Sequence, residues 1–121
     1  MIVLDTTVLI DLLRGHVPAR SFLTSLSETP ACSEVSRVEL LRGMRAPERS
    51  GAERLMRALR WISLDEEIAR RAGMLGRAWR RSHGLTTPDL VIAATAQELG
   101  AQLATSNVRH FPMFDDLEPP Y

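Results

Sequence analysis

Three carboxylates stand at comparable places along the 121-residue chain. Asp5 closes the apolar run Ile2-Val3-Leu4 and precedes a helical pattern. Glu39 lies in the first turn of a helix expected to open at Ser36, and Asp89 follows Thr87-Pro88 at the head of the apolar run Leu90-Val91-Ile92-Ala93-Ala94. A carboxylate between a strand and a helix, or in a first helical turn, is placed for catalysis, but the same position suits a cap. Asp5 or Thr6 serves as an N-cap on this reading, Ser36 with Glu39 fits a capping box, and Asp89 complements the positive end of its helix. Ser63-Leu64-Asp65-Glu66 shows the same helix-start chemistry with no function assigned to it, so local spacing alone does not separate catalyst from cap.

The elements that must position these groups alternate. Short apolar runs at Ile2–Leu4, Ala31–Val35 and Gln102–Thr105 read as buried strands, and Trp61–Leu64 as an edge strand. Between them helical patterns run over Thr7–Arg14, Pro18–Ser27, Ser36–Arg45, Gly51–Arg60 and Asp65–His83, the last with the stripe Ile68, Ala72, Leu75, Trp79 and with Gly84 past its end. A nearly all-apolar helix starts at Pro88 and ends at Leu99-Gly100. Asn107–Tyr121 is a loop-rich tail with room for one last strand. Alternation of this kind implies an α/β sandwich on a mostly parallel sheet, whose ligands bind beyond the carboxyl ends of the strands. Asp5 and Thr105-Ser106-Asn107 fall there.

Composition limits the alternatives. Hydrophobic residues make up 45% and charged residues 25%, as in an ordinary globular domain. No stretch approaches the length of a membrane span and no cleavable leader is evident, so a cytoplasmic protein is expected. Cys32 is the only cysteine, which excludes an internal disulfide and a Cys-based zinc cage; it reads as a core thiol. Net charge is zero, yet all fifteen basic residues are arginine. Residues 37–81 hold twelve Arg against six acids, and the remainder three Arg against nine. That split suits either a basic wall for phosphates or merely solvated helix faces.

The acids gain meaning from four ordered segments. Ile2-Val3-Leu4-Asp5-Thr6-Thr7-Val8-Leu9-Ile10-Asp11, Ser36-Arg37-Val38-Glu39-Leu40-Leu41-Arg42-Gly43, Pro88-Asp89-Leu90-Val91-Ile92-Ala93-Ala94-Thr95-Ala96 and Leu103-Ala104-Thr105-Ser106-Asn107-Val108-Arg109-His110-Phe111 together resemble the motifs of PIN-domain ribonucleases, with the VapC toxins of toxin–antitoxin pairs as the nearest branch. The resemblance spans nearly the whole chain and implies one PIN-like domain over residues 1–121, a three-layer α/β/α sandwich around a short, mostly parallel central sheet. It implies that Asp5, Glu39 and Asp89 hold Mg2+ or Mn2+, with Thr6 either orienting Asp5 or capping its helix. Hard divalent ions prefer such oxygen donors, and a metal there activates a water to hydrolyse an RNA phosphodiester.

Transfer or ribosomal RNA, a VapB-like antitoxin and a homodimer are the implied partners. Many family members carry a fourth acid where this chain offers Ser106, Asn107 and His110; Asn107 takes that catalytic place, with a neutral oxygen for a metal or as a cap. The missing charge weakens a second metal site and keeps a second reading open, a catalytically impaired module that binds RNA or a protein without cleaving. A phosphatase using Asp5 ranks lower, because Asp5-Thr6-Thr7 lacks the usual Asp-x-Asp. His110, beside Phe111 and Pro112, reads as a packing or solvent-facing residue rather than a proton donor.

Overall fold

The computed structural model describes residues 1–80 and 84–121. Strand β1 (Ile2–Leu4) leads through helices α1 (Thr6–Leu13) and α2 (Val17–Ser25) to β2 (Ala31–Ser33). Helices α3 (Glu34–Gly43) and α4 (Arg49–Arg57) then lead to β3 (Arg60–Ile62), and α5 (Glu66–Ala78) and α6 (Thr87–Glu98) to β4 (Gln102–Ala104). The four strands pair in parallel in the order β3-β2-β1-β4. Parallel pairing requires a long crossover after each strand, and helices supply every one.

Alternation along three-residue strands divides the core. Leu4, Cys32 and Ala104 face one side and pack with Val8, Leu9, Leu40 and Met56 of α1, α3 and α4. Val3, Ala31 and Leu103 face the other, against Ile92, Ala93 and Ala96 of α6 and Phe111 of the tail. Helix α5 lies outside α6 through Ile68, Ala72, Val91 and Ala94. Between these layers α6 is buried continuously from Val91 to Ala96, as its apolar composition implies. The result is the expected α/β/α sandwich around an all-parallel sheet. Gly100, with φ +60°, ends α6: its N–H reaches Gln97 O at 3.1 Å and that of Ala101 reaches Ala96 O at 2.9 Å. This double closure needs a left-handed residue and turns the chain directly into β4 beside β1.

Several boundaries differ from expectation. Helix α3 begins at Glu34, capped by Ser33, whose hydroxyl accepts from Val35 N; β2 therefore stops at Ser33 and Glu39 lies beyond the first turn. No Ser36–Glu39 capping box forms, because both side chains turn toward Thr6 instead. Helix α4 stops at Arg57 because Arg60 joins the sheet opposite Ala31. Helix α5 ends at Ala78, capped by Trp79. Beyond that stripe residue Arg80 offers nothing apolar to bury against α6, and residues 81–83, where the helix was expected to finish, lie outside the described residues. The tail forms a 3-10 turn at Val108–His110 and no strand. Among the described residues no helix is long and apolar enough to cross a membrane.

Cys32 is fully buried, and burial pushes its thiol up to about 12. Thiolate is the reactive form, so alkylation of native protein by iodoacetamide is expected to be negligible and to appear only as urea unfolds the chain. Rapid labelling below the unfolding transition would place Cys32 at an accessible surface and contradict its position in the sheet.

Candidate active site

The strand order locates the site. From β1 the chain moves to β2 and β3 on one side, and then returns to place β4 on the other side of β1. The switch point therefore falls between β1 and β4, where an open parallel sheet leaves a crevice beyond its carboxyl edge. Asp5 and Thr105 are the residues just past those two strands. The amide of Asp5 donates to Ala104 O at 2.9 Å, and the Thr105 hydroxyl donates to Asp5 Oδ2 at 2.7 Å.

Asp5 is only 4% exposed. Its Oδ1 accepts from the amide of Thr6 at 2.8 Å, making Asp5 the N-cap of α1, and its Oδ2 accepts from Thr7 Oγ1 at 2.9 Å as well as from Thr105. Burial raises the Asp5 carboxyl above its ordinary value of 3.8; the bonds from Thr105, Thr7 and Thr6 pull it back, and the negative charge of Asp89 raises it further. Thr6 links this group to α3. Its hydroxyl donates to Glu39 Oε1 at 2.7 Å and lies 2.9 Å from Ser36 Oγ. Ser36 and Glu39, three residues apart, occupy one helix face, which explains how both meet Thr6.

Asp89 enters from the third direction. It forms a capping box with Thr86: its amide donates to Thr86 Oγ1 at 3.3 Å, and its Oδ2 accepts from Thr86 N at 3.2 Å. The same Oδ2 lies 3.1 Å from His110 Nδ1. Capping and clustering thus coexist at Asp5 and Asp89. Asp65, by contrast, is exposed and caps α5 through Ile68 N alone. Asn107 follows β4, and its amide donates to Thr105 Oγ1 at 2.9 Å. Its side chain neither caps the Val108–His110 turn nor bonds to an acid among the described residues.

Among the described residues, Glu39 Oε2 and Asp89 Oδ1 have no protein partner, and no buried polar side-chain atom is left unpaired, so both oxygens face solvent. Among the described residues no arginine pairs with Asp5, Glu39 or Asp89. No three described acidic, His or Cys side chains already close on one point as a metal cage. The donor set still fits a hard cation bound partly through water: all three acids offer oxygen, two keep one oxygen open, and the third is a carboxylate raised chiefly by burial and further by a neighbouring negative charge.

The profile of the PIN domain matches residues 2–116. The chain belongs to the PIN-domain family. It is similar to the ribonuclease VapC19 of Mycobacterium tuberculosis, 46% identical over the full length of both chains, and to that organism's ribonuclease VapC10, 48% identical over all of this chain and 93% of the relative. A toxin–antitoxin complex from Klebsiella pneumoniae contains a chain of the same fold, with a TM-score of 0.83 and 27% identity over 100% of this chain and 98% of that one.

In this PIN domain the fold links Asp5 to Glu39 through Thr6 and to Asp89 by charge, whereas the Asn107 side chain makes no bond among the described residues. The sequence reading missed the hydroxyl contacts of Thr7, Ser36 and Thr105, and it read His110 as packing or solvent-facing, without its contact to Asp89. The available signal was the recurrence of Ser or Thr beside each acid-bearing segment.

Proposed function

We propose that this PIN domain is a Mg2+- or Mn2+-dependent endoribonuclease of the VapC toxin kind, cleaving a structured RNA. The observation that carries this reading is that acids from three separate segments are linked around the sheet's switch point, Glu39 through Thr6 and Asp89 by its charge on Asp5, with no arginine paired to them among the described residues. Asp5, Glu39 and Asp89 would hold the metal, which when bound acidifies a water and offsets charge developing on the phosphoryl oxygens. The chain's own groups do the positioning. Thr105 and Thr7 fix Asp5 Oδ2, Thr6 fixes Glu39 Oε1, and the open oxygens of Glu39 and Asp89 accept hydrogens from water. Asn107, whose side-chain amide makes no bond among the described residues, is available to donate to a phosphate oxygen.

The match to a chain solved in a toxin–antitoxin complex supports a VapB-like antitoxin as protein partner. A homodimer and a transfer or ribosomal RNA target are what the family resemblance implies. The test is incubation of the purified protein with total cellular RNA and Mg2+ or Mn2+. Discrete fragments that disappear with EDTA and in the Asp5→Asn variant are expected. Equal behaviour of wild type and variant would overturn the reading in favour of a non-cleaving binding module.

The arginines supply the second part. Arg49, Arg54 and Arg57 line an open surface groove of about 560 Å3 on α4 and carry no ion pair among the described residues. Arg80 precedes Arg81, which lies outside those residues. Each arginine on a single-stranded phosphate contributes roughly 0.7 to the slope of log K against log salt. Charge reversal at Arg80 and Arg81 is therefore expected to weaken RNA binding and flatten that slope by about 1.4; reversal at Arg54 and Arg57 is the parallel comparison. Fluorescence anisotropy over a salt series reads both. A pair whose reversal leaves the slope unchanged has no part in RNA binding.

A further inference from the structure

His110 contacts Asp89 from the tail, on the far side of the switch point from α1 and α3. Its Nδ1 lies 3.1 Å from Asp89 Oδ2, and its side chain is 35% exposed. The approach is attractive only with a proton on Nδ1, since otherwise two lone pairs face one another. Both contacts of the Asp89 carboxylate, from Thr86 N and from His110, fall on Oδ2 and leave Oδ1 open. A carboxylate gripped on one oxygen cannot rotate freely, so the other keeps a fixed direction.

The histidine is itself held. The His110 amide donates to Asn107 O and that of Phe111 to Val108 O, each at 3.0 Å, while the Phe111 ring is fully buried against the sheet. We propose that His110 is a positioning residue that holds Asp89 Oδ2 so that Oδ1 is presented to the cation. Losing a group that orients a metal ligand through its second atom typically costs about 10–100-fold in metal affinity or activity.

The inference rests on Asp89 being a metal ligand, and the two claims separate experimentally. Mn2+ binding is measured by calorimetry without RNA, alongside cleavage kinetics and Tm, for wild type, Asp89→Asn, His110→Ala, His110→Asn and His110→Gln. His110→Ala is expected to weaken Mn2+ binding and kcat each by about tenfold, with KM for RNA unchanged. His110→Asn places an N–H near the position of Nδ1–H and is expected to recover most of both; His110→Gln, whose donor reaches the Nε2 position, is expected to recover less. Mn2+ binding by His110→Ala within about twofold of wild type overturns the proposal. So does His110→Asn no better than His110→Gln, a comparison that holds even if the alanine variant is destabilised. If Asp89→Asn binds Mn2+ and cleaves like wild type, the ligand assignment itself falls; if Asp89→Asn is inactive while His110→Ala is normal, only the role of His110 falls.

Discussion

Replacing Asp5 by Asn is expected to abolish RNA cleavage and, in the same molecule, to raise the melting temperature of the metal-free protein. Loss of cleavage follows from position: Asp5 is the acid at the switch point, and it is linked through Thr6 to Glu39 and by charge to Asp89. Losing a ligand that helps offset phosphoryl charge removes several kcal/mol of transition-state stabilisation, about a thousandfold or more in kcat/KM. The gain in stability follows from burial. A carboxylate only 4% exposed and beside another negative charge is held above its ordinary 3.8, so the folded chain binds that proton more tightly than the unfolded chain. Where the folded state binds more protons, stability falls as pH rises. The penalty is absent below 3.8 and complete above the raised folded value. Asn keeps the shape and can accept from Thr6 without the charge. In EDTA the variant should melt a few degrees higher near neutral pH, with the gap shrinking as pH falls toward 4. A variant that melts lower than wild type at neutral pH would show that the threonine bonds outweigh the desolvation of Asp5.

The sequence shows the strands and helices clearly because apolar runs and helical stripes are local signals, and the position of Asp5 at the carboxyl edge follows from them. What it does not show depends on partners distant in the chain. Thr105 and Asp5 are 100 residues apart, and only the pairing of β1 with β4 joins them. Ser33 and Ser36 are equally good caps on local grounds. The choice goes to Ser33 because Ser36 is drawn inside to Thr6, a contact made across 30 residues. His110 beside Phe111 and Pro112 carries no local hint of Asp89. The loop-rich tail had room for a last strand that does not form, and Tyr121 shows what it does instead. Tyr121 donates its hydroxyl to Asp11 of α1 and lies against His16 and Phe22. Its hydroxyl is raised above the ordinary value by burial and by that bond. The tail thus crosses to the α1 and α2 side, a course that alternation of apolar residues cannot reveal.

Phe111→Ala is expected to cost about 3–5 kcal/mol of stability, a large share of the margin of a domain this size. Among the described residues Phe111 is the largest fully buried side chain, in the cluster of Val3, Ala31, Ile92, Ala93, Ala96 and Leu103 that seals the α6 face of the sheet, with Phe114 edge-on to its ring. Alanine leaves a cavity that short strands and a helix pinned by α5 cannot readily close. At roughly 3 °C per kcal/mol for about 120 residues, Tm should drop by about 10 °C, and the urea midpoint should fall without a change in slope. Phe111→Leu, which refills most of the volume, should lose far less. The same substitutions bear on the site, because Phe111 fixes the turn that presents His110 to Asp89 and Asn107 to the edge of the sheet. Phe111→Leu, assayed well below its Tm, is therefore expected to lose Mn2+ affinity through a shifted turn while its acids remain. If Phe111→Ala melts within a degree or two of wild type, the tail is not part of the core. The contact between His110 and Asp89 would then have no fixed support.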